Sequence, residues 1–268
     1  MSDQITVQNV MKDEFGWEVP VESVPVPSQG KVYAEGSSLH NRESLQIRAM
    51  TAQEEDILAS RALIQEGSVI THLIQSCLID KTVNVNEMLL GDRNAVMIAV
   101  RVTGYGASYK AESICPVCSA KSKQDYNLGD LEIKRLEIDP VVPGANLFEF
   151  NLPITKKKVH FKFLTGAEEA ERSLTAERRK KLFPDSKVDN LVTSRLEQLI
   201  VSIDGVEDRN KINHFVKNMP ARDSRALRRY IDDHEPGIDM SVWMSCPSCS
   251  ASSRVSLPVG SNFFWPSE

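Results

Sequence analysis

The chain has 268 residues, of which 41% are hydrophobic and 26% charged. It is long enough to bury a sizeable core, and 6% aromatic content makes that core mainly aliphatic. A formal net charge of −5 and a pI near 5.7 exclude a broad, sequence-independent grip on nucleic acid, which needs an excess of cations, and leave room only for a local basic face. No apolar run approaches the roughly 18–20 residues that span a bilayer; the candidate at 95–102 already contains Arg101. Residues 1–8 are polar and carry no secretory pattern, so folding in a reducing cytoplasm is expected.

Acidic charge is concentrated early: residues 1–60 hold four Lys/Arg against ten Asp/Glu. Residues 1–46 read as an extended N-terminal arm. Pro20, Pro25 and Pro27 alternate with valines, and proline removes backbone donors and biases its predecessor away from the helical region. The valines, Phe15 and Trp17 favour an arm laid on a neighbouring subunit over a disordered tail. Thr51-Ala52-Gln53-Glu54 has capping-box spacing and predicts a helix from there to Gln65, stopped by Gly67. A second helix is expected over 70–77, with Cys77 in the core. A short helix follows at 86–90.

Asp92 then reads as the N-cap of a helix over 93–102, although the β-branched content also allows a strand. Gly104-Tyr105-Gly106 ends that element. Residues 109–127 read as two short strands around Cys115 and Cys118, and 147–164 as a hairpin with alternating aromatics. Thr165-Gly166-Ala167-Glu168 is a second capping box, opening a charged helix to Leu182 that Pro184 ends. Helices are expected over 189–202, 211–217 and from Pro220 to about Pro236, and strands from Asp239 to Trp265. The predicted fold is α+β: the arm, a helical part with the first Cys pair (47–127), an inserted α+β subdomain (128–238), and a terminal segment with the second pair (239–268).

Four of the five cysteines form two matched motifs, Cys115-Pro116-Val117-Cys118 and Cys246-Pro247-Ser248-Cys249. Two residues between thiols let both sulfurs face one point at the tip of a tight turn. Two such turns supply four thiolates at tetrahedral positions around Zn2+, the zinc-ribbon pattern. Residues 119–245 intervene, so the predicted ribbon is split, with the metal joining the two ends of the insertion. Loop closure entropy grows slowly with length and does not oppose this. With all four positions filled by protein the zinc is structural and not catalytic. Four thiolates could also hold iron, and Cys-Pro-x-Cys could be a thiol-redox site, but Ser119-Ala120-Lys121 is a poor helix start for the latter.

No constellation suited to catalysis is present. The histidines at 40, 72, 160, 214 and 234 form no ligand pair, and no phosphate loop or nucleophile elbow occurs. Arg178-Arg179-Lys180-Lys181 follows several glutamates and reads as an ion-paired helical face. Arg222, Arg225 and Arg229 share one helical face that could meet an acidic partner. The candidate partner-contact residues are those three arginines, Phe15, Trp17 and Tyr33 of the arm, and the terminal aromatics Phe263, Phe264 and Trp265, which either fold back onto the core or anchor in a partner's pocket.

Several stretches together resemble the T4-like bacteriophage baseplate hub proteins of contractile-tailed phages: residues 27–33, 47–58, Gly91-Asp92-Arg93-Asn94, Gly104-Tyr105-Gly106 with Tyr109, both Cys pairs, Leu164-Thr165-Gly166, Pro236-Gly237-Ile238-Asp239 and the Phe-Phe-Trp-Pro end. The resemblance implies a structural or assembly role at a virion's tail baseplate and no enzymatic activity. It implies partners among hub, tail-tube-initiator, tape-measure or wedge proteins, with membrane and nucleic acid outside the expected set. Some relatives lack one or both Cys pairs, so the zinc expectation rests on the spacing in this chain. A transient hub-assembly chaperone and a zinc-ribbon nucleic-acid-binding protein are the rival readings.

Overall fold

The computed structural model describes residues 7–12, 16, 18–182, 190–257 and 263–264. Phe15, Trp17, Pro184 and Trp265 lie outside the described residues, as do the side chains of Arg178, Arg179, Lys180 and Lys181.

The fold is mixed α+β. Strands β1 (Val7–Lys12), β2 (Glu18–Pro25) and β3 (Ser44–Arg48) form an antiparallel sheet in that order. This corrects the arm reading over 18–46. Val21, Val24 and Val26 are buried in this chain's own core, and Val32, Tyr33 and Leu39 in the β2–β3 connection join them. The prolines fit because Pro25 closes its strand and Pro20 sits near the start of β2, where few ladder donors are lost.

The predicted helix from Thr51 is two helices, α1 (Ala52–Ala59) and α2 (Arg61–Glu66), broken at Ser60, where the backbone turns extended. Gly67 ends α2 in the left-handed region, as expected of a C-terminal glycine. The Glu54 carboxylate accepts from the Thr51 N–H and hydroxyl, from Ser76 Oγ, and from both Arg48 terminal nitrogens at 2.6 and 2.9 Å. Burial opposes its charge, but these donors win and hold its pKa down to about 2. Helix α3 (Val69–Cys77) buries Leu73, Ile74 and Cys77, and burial pushes the Cys77 thiol up to about 12, which suits an inert core residue.

Helix α4 (Leu90–Tyr105) is the central element, and the alternative of a strand here is overturned. It starts before the predicted cap. Asp92 lies inside the first turn and is fully buried, accepting from Ser28 N (2.8 Å), Ser28 Oγ (2.6 Å) and Tyr33 Oη (2.5 Å). Burial outweighs those donors and raises its pKa. Tyr33 also accepts from Leu89 N at 2.9 Å and is 7% exposed, so it is a core residue and not a partner contact. Gly91 touches the chain's return: a Cβ there would sit 1.8 Å from the Pro236 carbonyl oxygen. Arg93 donates to the Gly166 carbonyl. Motifs remote in sequence, 27–33, 91–94, 164–166 and 236–237, thus meet around one end of α4.

Arg101, also buried in α4, donates to the carbonyls of Phe263 (2.5 Å), Gly106 (2.6 Å) and Ser108 (3.1 Å). Phe263 packs edge-on against Tyr109 at 5.3 Å, and Phe264 packs on Phe263 at 5.0 Å. Both are buried, so of the two readings of the terminal aromatics the core one holds for Phe263 and Phe264, which are not partner anchors: they complete this chain's core.

After α4 come β4 (Ser108–Ile114) and β5 (Lys121–Asn127), a hairpin, and then β6 (Ile133–Lys134). Strands β7 (Phe148–Asn151), β8 (Lys158–Phe161) and β9 (Ile200–Ile203) form a second antiparallel sheet. Between β8 and β9 run α5 (Gly166–Leu182), whose Thr165–Glu168 capping box is reciprocal, and α6 (Leu191–Leu199). The helix predicted to 202 stops at Leu199 because Ile200–Ile203 pair with β8 and bury Ile200, Ser202 and Ile203. Helices α7 (Arg209–Asn218) and α8 (Ala221–His234) lead to β10 (Gly237–Ile238), which pairs antiparallel with β6. The segment between them thus leaves and re-enters through a two-strand neck. Strands β11 (Ser241–Ser245) and β12 (Ser252–Ser256) form a last hairpin.

Candidate metal centre

Each Cys pair sits at the tip of a hairpin, the first between β4 and β5, the second between β11 and β12. The two tips have the same internal geometry. In the first, Cys115 N donates to Ala120 O and Ser119 N to Cys115 O, both at 2.9 Å; in the second, Cys246 N donates to Ala251 O and Ser250 N to Cys246 O, again at 2.9 Å. Ser119 and Ser250 both take positive φ, 59° and 56°, which turns the chain back into the returning strand. Small polar residues suit this left-handed position better than β-branched ones.

The hairpins bring the four sulfurs together. The Sγ atoms of Cys115, Cys118, Cys246 and Cys249 all lie within 4.8 Å of one another. Cys115–Cys249 is 3.8 Å and Cys118–Cys246 is 3.6 Å. Four sulfurs placed tetrahedrally at about 2.3 Å from one zinc ion lie about 3.8 Å apart, so the cluster fits a Zn2+ site. Each hairpin contributes one buried thiol (Cys115, Cys246) and one exposed thiol (Cys118, Cys249). Met244 is buried with Cys115 and Cys246, and Ala120 and Val255 pack against this small cluster. Gln124 Nε2 donates to Ser245 O at 2.6 Å and bridges the hairpins directly.

The electrostatics of the thiols also suit a dication. The N–H groups of Cys249 and Ser248 point at Cys246, and with the neighbouring thiols they pull its pKa down to about 6. At Cys249 the Ala251 N–H favours the thiolate, but the Cys118, Cys246 and Cys115 thiols and desolvation outweigh it, and the pKa is pushed up to about 12. The Cys246 thiolate forms readily, whereas Cys118 and Cys249 are held toward the protonated form and need a cation to neutralise their thiolates. A bound dication supplies that charge, so binding releases protons. All four donors come from the chain, which leaves a tetrahedral ion no open position for substrate or water.

Among the described residues, the predicted partner-contact positions do not share one surface. Arg222, Arg225 and Arg229 are exposed on α8, where Arg229 lies 3.6 Å from Asp233. Tyr33, Phe263 and Phe264 are interior. A residue the sequence reading passed over is Trp243, 70% exposed on β11. The alternation of Val242, Trp243 and Met244 carries the signal: Met244 points to the sulfur cluster, so its neighbour faces out.

Comparison with protein families matches residues 23–265 to the family described as T4 bacteriophage base plate protein. No curated protein and no solved structure matches the chain.

Proposed function

The chain belongs to the T4 bacteriophage base plate protein family, and from that premise we propose that it is a hub component of a contractile-tail baseplate, acting by protein–protein contacts around a zinc-stapled frame. The observation that carries the reading is the match along 23–265, which takes in both Cys pairs and every motif that meets around α4. The family is structural, in keeping with a cysteine cluster whose four donors close the coordination sphere.

Cys115, Cys118, Cys246 and Cys249 hold the ion in this reading, and its contribution is to fasten the β4–β5 hairpin to the β11–β12 hairpin. The partners are neighbouring hub, tail-tube-initiator, tape-measure or wedge proteins. Assembly takes place in the host cytoplasm, and the product is the virion's tail baseplate.

Quantitative protein and metal analysis of purified particles tests this. One zinc per chain, with the chain at the baseplate, supports it. Recovery of the chain only from unfinished intermediates assigns it to assembly as a transient chaperone instead. Absence from both, or steeply salt-dependent binding of the zinc-loaded chain to DNA or RNA, refutes the hub role.

A further inference from the structure

A groove of about 300 Å3 lies below the metal cluster, between β5 and β11. Trp243 stands at its edge, and Asp125, Asp130 and Glu132 line it, all three exposed. Among the described lining residues the one cation, Arg254, is engaged by Asp239 at 2.5 Å. The lining is therefore strongly negative beside a bare indole face. A tryptophan this exposed, with carboxylates around it, suits a cation: ring and carboxylates attract the same charge.

The backbone adds a second, independent observation. Among the described residues, strand β11 pairs only with β12. Cys246 N bonds Ala251 O and Leu257 N bonds Met240 O, which fixes the alternation of the ladder. By that alternation Val242 and Met244 exchange hydrogen bonds with β12, whereas Ser241, Trp243 and Ser245 turn their N–H and C=O groups away from it. Ser245 O accordingly reaches across to Gln124, and Ser241 N is taken by Asp239. Trp243 lies between them, with its main-chain donor and acceptor facing the groove. An open strand edge of this kind accepts another strand.

We propose that this groove receives an extended segment of a neighbouring baseplate protein, its main chain adding to β11 at Trp243 and a lysine or arginine of it lying between the indole and the carboxylates of Asp125, Asp130 and Glu132. The proposal rests on the baseplate role given above and names the chemistry of one contact within it.

The test uses the full chain in phage assembly. Trp243→Ala and the double variant Asp130→Asn/Glu132→Gln keep their zinc content and melting temperature, because the three side chains are exposed. Both are expected to lower recovery of the chain in purified baseplates about tenfold or more, the loss typical of a central interface residue. A photo-crosslinking p-benzoylphenylalanine in place of Trp243 is expected to join to a Lys- or Arg-bearing, extended segment of a baseplate protein. Should Trp243→Ala lose its metal, the carboxylate variant and the crosslink decide the matter. Variants that enter baseplates as wild type does overturn the groove and leave the baseplate role standing. Wild-type chain missing from baseplates overturns the role itself. A crosslink to nucleic acid, or to an acidic or helical segment, overturns the proposed occupant.

Discussion

Removing the metal should loosen both hairpin tips together and leave the rest of the protein folded. The two turns, residues 115–120 and 246–251, hold about 12 residues, whose backbones cost about 12–24 kcal/mol to order. Against that, burial of Met244, the two inner thiols and parts of Ala120 and Val255 returns about 5 kcal/mol. The four hydrogen bonds within the turns add about 4 kcal/mol. The shortfall of about 3–15 kcal/mol is comparable with the apparent 10–16 kcal/mol of a structural zinc in small peptides. Chelation, or Cys249→Ser, is therefore expected to abolish amide-exchange protection at both tips. Protection in α3 and α4 should survive, because their core does not depend on the sulfurs. Hydrogen exchange read by mass spectrometry, with and without chelator, makes the comparison. Unchanged protection at the tips refutes the reasoning, and so does loss at one tip alone, since a shared ion must release both.

Glu54→Gln should destabilise the protein at neutral pH by about 3 kcal/mol, the worth of a carboxylate whose pKa falls from 4.5 to about 2 on folding. A lowered folded pKa means that the stabilisation is complete above the unfolded value and disappears as pH falls through about 2; denaturation of wild type and variant across that range checks it. Asp92 has the opposite sign. Its folded pKa is raised, so its stabilisation is present below the ordinary carboxylate range and declines as pH rises through the folded value. Asp92→Asn should flatten that decline, whereas Asp92→Ala, which strands Ser28 N–H, Ser28 Oγ–H and Tyr33 Oη–H, should cost about 3 kcal/mol or more at any pH, measured by urea unfolding. Gly91→Ala forces a methyl into the Pro236 carbonyl and should cost about 3 kcal/mol or prevent folding, read by yield and melting temperature.

Local chemistry was the part of this fold that the sequence displayed. The Cys-Pro-x-Cys pairs, the Thr51 and Thr165 capping boxes, Gly67 and the two flanking hairpins all depend on residues within a few positions of one another, and all appear as read. What local sequence does not show depends on partners far away. The Pro/Val stretch shows how much apolar surface it has, but only β3 and α4 reveal that this chain covers it. Phe263 and Phe264 present the same ambiguity, which Arg101 resolves from inside a helix by holding the Phe263 carbonyl. Asp92 reads as a cap because acidic residues favour helix starts; its actual partners, Ser28 and Tyr33, sit some sixty positions earlier.

The split ribbon has a mechanical consequence. With the ion in place, a pull applied between the β4–β5 and β11–β12 hairpins runs from sulfur to sulfur and bypasses the long polypeptide excursion between Cys118 and Cys246. The β6–β10 neck lies at the foot of the same excursion, so a second fastening guards its entrance. Load carried from sulfur to sulfur therefore need not pass through helices α5 to α8, a useful separation in a machine that contracts.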